Sequence, residues 1–589
     1  MTRHLALLLA FLATGCSADP LTEMVVVINS DMSSPGEFDG FRVVVTGNDQ
    51  QVTTDRHYFL GDLEGQVALP ADFGVTPKND DASRRLTVEI SATLSGAPLF
   101  STRAVTGFVK GKTLRLDMFL ARRCLTEAAQ CQPNETCRVN GCAPEQVDPS
   151  TLPSFDPNAP LASESTTWLQ TAGSSAADDW MGTAIDADGN VYAAGHHDAD
   201  IRMGGQLYPA SQTAAMIASY DRAGKLRWFK SYNGQYLAVA SGVAVGPNGH
   251  VCATGWFDGQ LQMDDQLLDS GGYQNTFLGC YDSAGKLSWA KTFGDQGNVQ
   301  TRAVAVAPNG DIGIAGVYPN VQNFGGPPLP AAREDDAFVA RFNSTGQHEF
   351  SWGFGGETGD DIGRAVAFDS QSNMLVAGYV SSGTVDFGGT QVTFTAPKNA
   401  FVVKYRPDGT LAWVRTFESG DAQNLHSVAV GPDDRVAIAG AFPGSVDFGQ
   451  GKLQSAGDLD AAVAVFTADG TPMASALFGG PGADVAYGVR FSGDSVIVSG
   501  SFTGDMAFRG TSILGASDQN GFVLALSPDL STVRWAHSLG GTGTDSVESL
   551  AATSSTVVAA GQFAQQLDFE SASATSAGGQ DAFVLHFAP

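Results

Sequence analysis

A chain of 589 residues exceeds what one hydrophobic core serves, so two or more domains are expected. Its 70 Gly and 16% charged residues, with many Val, Ala and Phe, suit a β-rich protein with frequent tight turns. The net charge of −29 comes mostly from Asp spread through Gly-rich segments, and no Lys/Arg cluster is present to displace counterions, which argues against nucleic acid as a partner.

The N-terminus has the three parts of an export signal: Arg3 and His4, an apolar run from Leu5 to Leu12, and small residues before Cys16. The run is too short to span a bilayer. Ala13-Thr14-Gly15-Cys16 resembles a bacterial lipobox, with Ala13 where Leu is usual. That resemblance implies a signal peptide over 1–15, cleavage before Cys16, lipid on its thiol and amine, and a tether over 16–22. Ser17 instead of Asp after the Cys implies, by analogy with Gram-negative lipoproteins, the outer membrane. The membrane is then a partner through acyl chains, each buried methylene contributing about 0.8 kcal/mol.

Residues 23–122 alternate strand-like runs with turns, among them Met24-Val-Val-Val-Ile28, Phe41-Arg-Val-Val-Val45 and Leu86-Thr-Val-Glu-Ile90. Their period of two predicts a small antiparallel sandwich. Cys124, Cys131, Cys137 and Cys142 follow in a segment (123–144) too polar to bury a core of its own, so two disulfides are its expected staple. Three pairings are open, and a four-Cys zinc site is the rival reading. Pro-rich residues 145–165 read as an extended linker.

From residue 166 to 589 the chain repeats. Gly after an apolar run recurs at Gly195, Gly255, Gly316, Gly378, Gly440, Gly500 and Gly561, at intervals of 60 to 62 residues. A second series is Met203, Met263, Phe324, Phe387, Phe448, Phe508 and Phe569; a third is Tyr220, Tyr281, Phe342, Tyr405, Phe466, Leu526 and Phe587. The fourth, Trp168, Trp228, Trp289, Trp352, Trp413, Ala474 and Trp535, has lost one member. Each repeat holds about four short apolar strands that need burial on both faces, and stacked four-stranded blades supply it. The fold expected is all-β: a seven-bladed β-propeller, preceded by the sandwich and the Cys-rich knot. Because the last repeat lacks a Trp strand and one precedes the first, residues 166–172 are expected to complete the C-terminal blade and close the ring.

Gly189-Asn-Val-Tyr-Ala-Ala-Gly195, Gly383-Thr-Val-Asp-Phe-Gly-Gly389, Asp335-Asp-Ala-Phe-Val-Ala-Arg341 and Gly285-Lys-Leu-Ser-Trp-Ala-Lys-Thr-Phe-Gly294 resemble the SBBP-type seven-bladed propeller repeats of deltaproteobacterial, especially myxobacterial, cell-surface proteins. The resemblance implies the fold and an envelope setting. It implies no reaction, ligand or catalytic residue.

Few constellations carry chemistry. Asp178, Asp179, Asp360, Asp361, Asp484 and Asp545 precede or open the first strand of their repeats, which predicts an acidic face for cations or a basic partner; the competing role is capping of turns. Asp186-Ala-Asp-Gly-Asn190 looks like the start of a calcium loop but lacks the bidentate Glu, and a plain turn is the simpler reading. His196 and His197 are strand neighbours that point to opposite faces and so do not share one ion. Cys252 and Cys280 lie on successive strands of one blade, where a cross-strand disulfide and two buried thiols are both open. Ser-hydrolase elbows, phosphate loops and dinucleotide fingerprints are absent, and no cofactor or metal is expected. The function expected is therefore a lipid-anchored, non-catalytic binding or scaffold protein of the envelope, presenting its ring to a protein, polysaccharide or small ligand. The alternative is a carbohydrate hydrolase or lyase with acids at the ring mouth.

Overall fold

The computed structural model describes residues 22–155 and 167–588, apart from 31, 33–37, 48–50, 62–65, 68, 70, 122–123, 128–130, 139–140, 248, 295–296, 419–422, 555 and 570–571. Cys16 and the signal segment lie outside the described residues. The chain divides into two compact units, Met1–Thr166 and Thr167–Pro589. Among the described residues no helix is long and apolar enough to cross a membrane.

In the first unit β1 (Glu23–Ser30), β2 (Gly40–Gly47), β3 (Val52–Phe59), β4 (Ala71–Val75), β5 (Arg85–Leu94), β6 (Ala97–Gly107) and β7 (Thr113–Leu120) form two sheets, ordered β4-β1-β7 and β3-β2-β5-β6. Alternation decides which side chains face inward. Phe41, Val43 and Val45 of β2 join Val88 and Ile90 of β5 against Met24, Val26 and Ile28 of β1, while Arg42 points out to Asp55 at 2.6 Å. The sandwich differs from the expected one in that β1 and β7 pair in parallel. Period-two patterning fixes the face of a strand but not the direction of its partner.

The disulfides join Cys124 to Cys137 and Cys131 to Cys142. Cys124 and Cys137 belong to the sandwich core, so the four-Cys segment is bolted to the sheets and does not stand apart from them. At the start of the Pro-rich segment Val147 donates to the Val105 carbonyl (2.9 Å) and Phe155 to that of Thr113 (2.9 Å), so residues 145–155 run along the sandwich.

The second unit is all-β and propeller-like: five repeats each form a four-stranded antiparallel sheet, and the fifth and sixth are joined into one eight-stranded sheet where Phe478 and Gly479 pair with Phe508 and Ala507. Modules 1 to 7 begin with the strands Asp178–Ile185, Leu237–Val245, Gln300–Val306, Ile362–Phe368, Asn424–Val430, Val485–Ser492 and Ser546–Ala552. Each first strand packs against the first strand of the next module, and that of module 7 packs against that of module 1. Trp168–Ala172 pairs antiparallel with Ala572–Phe587, from Trp168 opposite His586 to Ala172 opposite Ala582, and is the fourth strand of module 7.

The repeated residues have separate mechanical roles. The Met/Phe and Tyr/Phe series are buried between sheets. The Trp series latches five of the modules to the following one: indole Nε1 donates to a carbonyl of the next module's hairpin, Trp228 to Ser283 (3.2 Å), Trp289 to Ser344 (3.2 Å), Trp352 to Gly409 (2.9 Å) and Trp413 to Ala468 (3.1 Å). Trp168 does the same from module 7 to Arg222 of module 1 (3.1 Å). Cys252 and Cys280, directly opposite each other across two strands of module 2, form a disulfide.

Candidate functional site

The Gly series sits opposite a defect in the sheet. A Cβ at Gly195, Gly255, Gly378 or Gly500 would stand 1.8 to 1.9 Å from a carbonyl oxygen of the first strand, so only Gly admits that strand so close. At that point every first strand carries a bulge: the register skips between Trp180 and Gly182, Ala240 and Gly242, Thr301 and Ala303, Gly363 and Ala365, Leu425 and Ser427, Ala486 and Gly488, and Val547 and Ser549. The extra residue of a bulge leaves the ladder and its side chain is re-aimed. These residues are Met181, Ser241, Arg302, Arg364, His426, Tyr487 and Glu548.

They converge. The Arg364 charge acts on Arg302, His426, Tyr487 and Glu548, residues of modules 3, 5, 6 and 7. His426 and Tyr487 are edge-to-face at 5.2 Å. The second strands add walls: the Trp256 ring lies 4.9 Å from the Arg302 guanidinium, and Tyr379 lies 5.8 Å from that of Arg364 and 4.6 Å from Lys398 Nζ. Glu548 accepts from Ser546 Oγ at 2.7 Å.

Charge is divided across the site. Burial, and then the neighbouring Arg364, pull the Arg302 guanidinium below its ordinary value. On the other side burial pushes Asp179 and Glu548 up, Asp179 further through the Glu548 charge. Burial and Arg364 lower His426 to about 3, and burial followed by Glu548 raises Tyr487. The Nε atoms of Arg302 and Arg364, Asp179 Oδ1 and His196 Nδ1 are buried with no hydrogen-bond partner among the described residues. The layer is an open polar cluster, basic on one side and acidic on the other.

The six acidic positions singled out in the sequence do not share a face. Asp179 lies in this cluster and Asp360 is exposed, whereas Asp178, Asp361, Asp484 and Asp545 are buried. Their carboxylates accept backbone N–H groups: Asp178 from Ser174 (2.5 Å), Asp361 from Gly356 (2.8 Å) and Ser381, Asp484 from Gly480 (2.7 Å) and Asp545 from Ala564 (3.1 Å). Burial raises them to about 7, 6, 6 and 7 respectively. Three of them face a carboxylate of the preceding module: Asp178 faces Asp581, Asp361 faces Asp336 and Asp484 faces Asp460. Asp-before-strand text reads as exposed turn, but the missing side chain of a Gly opens the space in which the pairs sit. A Cβ at Gly479 would lie 2.8 Å from both Asp460 Oδ1 and Asp484 Oδ2.

The remaining candidates are structural. Asp186 accepts from the amides of Asp188 (3.0 Å) and Asn190 (2.8 Å) and from Tyr192 Oη (2.9 Å), a turn satisfied by the protein itself. His197 is fully buried between the Ala199 carbonyl (2.7 Å) and Ser231 Oγ (2.8 Å), while His196 stands beside Asp198. Among the described residues no three His, Cys, Asp or Glu are grouped to hold a metal ion. The bulge residues differ from repeat to repeat and so form no series in the sequence, although each lies thirteen or fourteen residues before a Gly of the first series.

No family profile matches the chain. It is 25% identical over 344 residues to the regulatory protein FlaEY of Caulobacter vibrioides, covering 54% of this chain and 36% of that protein. It is 19% identical over 298 residues to the uncharacterized WD repeat-containing protein L264 of Acanthamoeba polyphaga mimivirus, covering 40% and 22%. The chain thus matches about a third of the first relative's length and about a fifth of the second's. Among solved structures it is similar to the polysaccharide lyase Uly1, with a TM-score of 0.37 and 8% identity over 69% of this chain and 90% of that one.

Proposed function

We propose that residues 167–589 form a closed seven-bladed β-propeller whose axial mouth binds a ligand, and that the chain is a lipid-anchored outer-membrane protein of the SBBP-repeat kind that displays this ring without catalysing a reaction. The observation that carries the binding reading is the convergence of bulged side chains from successive modules, with guanidinium Nε atoms left unpartnered among them. Binding is favoured over proton transfer because His426, lowered to about 3, and Tyr487, raised, both keep one protonation state near neutrality. A partner envelope protein or polysaccharide would present its end to this mouth.

A second reading, a carbohydrate hydrolase or lyase, has one observation in its favour: Asp179 and Glu548 are neighbouring carboxyls, both raised. Incubating the full chain with glycans from a binding array and analysing the products by mass spectrometry decides between them. Intact glycans are the expected result; cleavage lost in both Asp179→Asn and Glu548→Gln would replace the binding reading with the enzymatic one. The anchor is tested separately, by acyl incorporation into the full chain and its loss in Cys16→Ser.

A further inference from the structure

We infer, resting on the reading of the axial mouth as a binding site, that its ligand is an acidic saccharide whose oxyanion is held by Arg302 and Arg364 while its hydroxyls meet Asp179 and Glu548. Two guanidiniums from adjacent modules are brought near each other, half-buried, and no carboxylate among the described residues lies within ion-pair reach of either. Elsewhere in this unit Arg341 is neutralised by Asp311 at 2.6 Å and Glu349 at 3.0 Å, and Arg490, which meets no carboxylate among the described residues, donates to the Val489 carbonyl at 2.7 Å. Arg302 donates through Nη2 to Gln300 Oε1 at 2.7 Å, yet its Nε and that of Arg364 stay buried and unpartnered, so both guanidiniums keep donors for a group that the chain does not supply.

The rest of the cluster narrows the class. Asp179 and Glu548 oppose the guanidiniums, so a compact polyanion filling the mouth would meet like charge on its far side. Raised carboxyls exchange hydrogen bonds with hydroxyls in either protonation state. Trp256 and Tyr379 stand beside the guanidiniums and offer flat apolar surface next to the anion site. One oxyanion, hydroxyls on the opposite edge and a ring face between them describe a uronic acid residue or a sulfated sugar.

Calorimetric titration of the full chain with tri-galacturonate, sulfated galactose, neutral galactotriose and inorganic sulfate tests this. Binding of tri-galacturonate or sulfated galactose, weakened by added salt and reduced about 10- to 100-fold in Arg302→Gln and in Arg364→Gln, is expected, because each variant removes charge-assisted hydrogen bonds. The two acidic sugars tell carboxylate from sulfate. Should either Gln variant fail to melt cooperatively, Arg302→Lys and Arg364→Lys keep the charge and lose the fork, and a several-fold loss is expected of them. Galactotriose binding as tightly as the acidic sugars, with the Arg variants at wild-type affinity and Trp256→Ala impaired, would overturn the acidic ligand while leaving the mouth in place. Binding of any of these sugars that is indifferent to the Arg variants and to Trp256→Ala would overturn the mouth as well. Inorganic sulfate binding as tightly as the sugars, or no binding of either acidic sugar, would overturn the saccharide assignment.

Discussion

Two layers of the second unit are built from the same repeat and obey opposite rules. Between the sheets the same residue kind returns module after module: Gly opposite the bulge, an aromatic or Met in the core, Trp over the next hairpin. At the bulge only Arg returns. Met181, Ser241, Arg302, Arg364, His426, Tyr487 and Glu548 occupy one structural position with six residue types. Packing between modules is one problem solved repeatedly, so its solution is repeated. The bulge position is not held to one residue type by that packing. The proposed binding site rests on this difference.

The largest effect should come from breaking the packing layer where the Trp168 strand joins module 7. Trp168 is 8% exposed, stacks on His586 at 5.1 Å and donates to the Arg222 carbonyl at 3.1 Å. Trp168→Ala is expected to cost about 3–5 kcal/mol, as loss of a buried indole does. Denaturant unfolding followed by tryptophan fluorescence measures it. A cost no greater than that of an exposed substitution would mean that Trp168–Ala172 does not hold module 7.

A change at the boundary of the two layers comes next. In Gly378→Ala the new methyl would meet the Ile362 carbonyl at 1.9 Å, and the strand that carries Arg364 must shift. Overpacking of this kind costs about 1–3 kcal/mol, and ligand binding at the axis should weaken with it. Stability loss without any change at the axis would separate the Gly from the bulge it faces.

The acidic pairs between modules give a smaller, pH-dependent effect. Asp484 titrates at about 6 in the folded chain against an ordinary 3.8, because burial disfavours its charge. Its contribution is present in full below the unfolded value and is lost as pH rises from about 4 through about 6. His197, buried, and His426, half-buried, are lowered from 6.5, and their contribution runs the other way, being lost as pH falls. The informative quantity is therefore the difference between proteins. Asp484→Asn, which keeps an oxygen for the Gly480 amide, should gain stability over the wild type from pH 4 to pH 7 in thermal melts, and a flat difference would place the charge outside the low-dielectric interior.

How much of this could be read beforehand follows from the same contrast. Four series of seven residues made the modules and the pairing of the Trp168 strand legible, since repetition separates signal from chance. The axial residues were illegible as a set because variety looks like noise along one sequence, although the Gly register marks their places. Asp178 and Asp484 misled for a different reason: beside Gly, Asp usually means a solvated turn, and only the fold shows the carboxylate turned inward onto backbone N–H groups. In the sandwich the inward face of β2 followed from alternation, whereas the apolar run of β1 is buried on both faces, and the parallel partner of β1 and the pairing of four cysteines depend on contacts distant in sequence.

The smallest effect on stability should accompany a clear effect on the site, and it is the sharpest test of the two-layer view. His426 is partly exposed, packs edge-on to Tyr487 and makes no hydrogen bond that a module junction depends on. His426→Asn should change unfolding by no more than about 0.5 kcal/mol, the ordinary range for a substitution outside the core. It also removes the ring between Arg364 and Tyr487, so affinity for an axial ligand should change while the melt does not. If instead the melt fell as far as in Gly378→Ala, the bulge residues would be part of the packing, and their variety would reflect the tolerance of a filled channel and not the composition of a site.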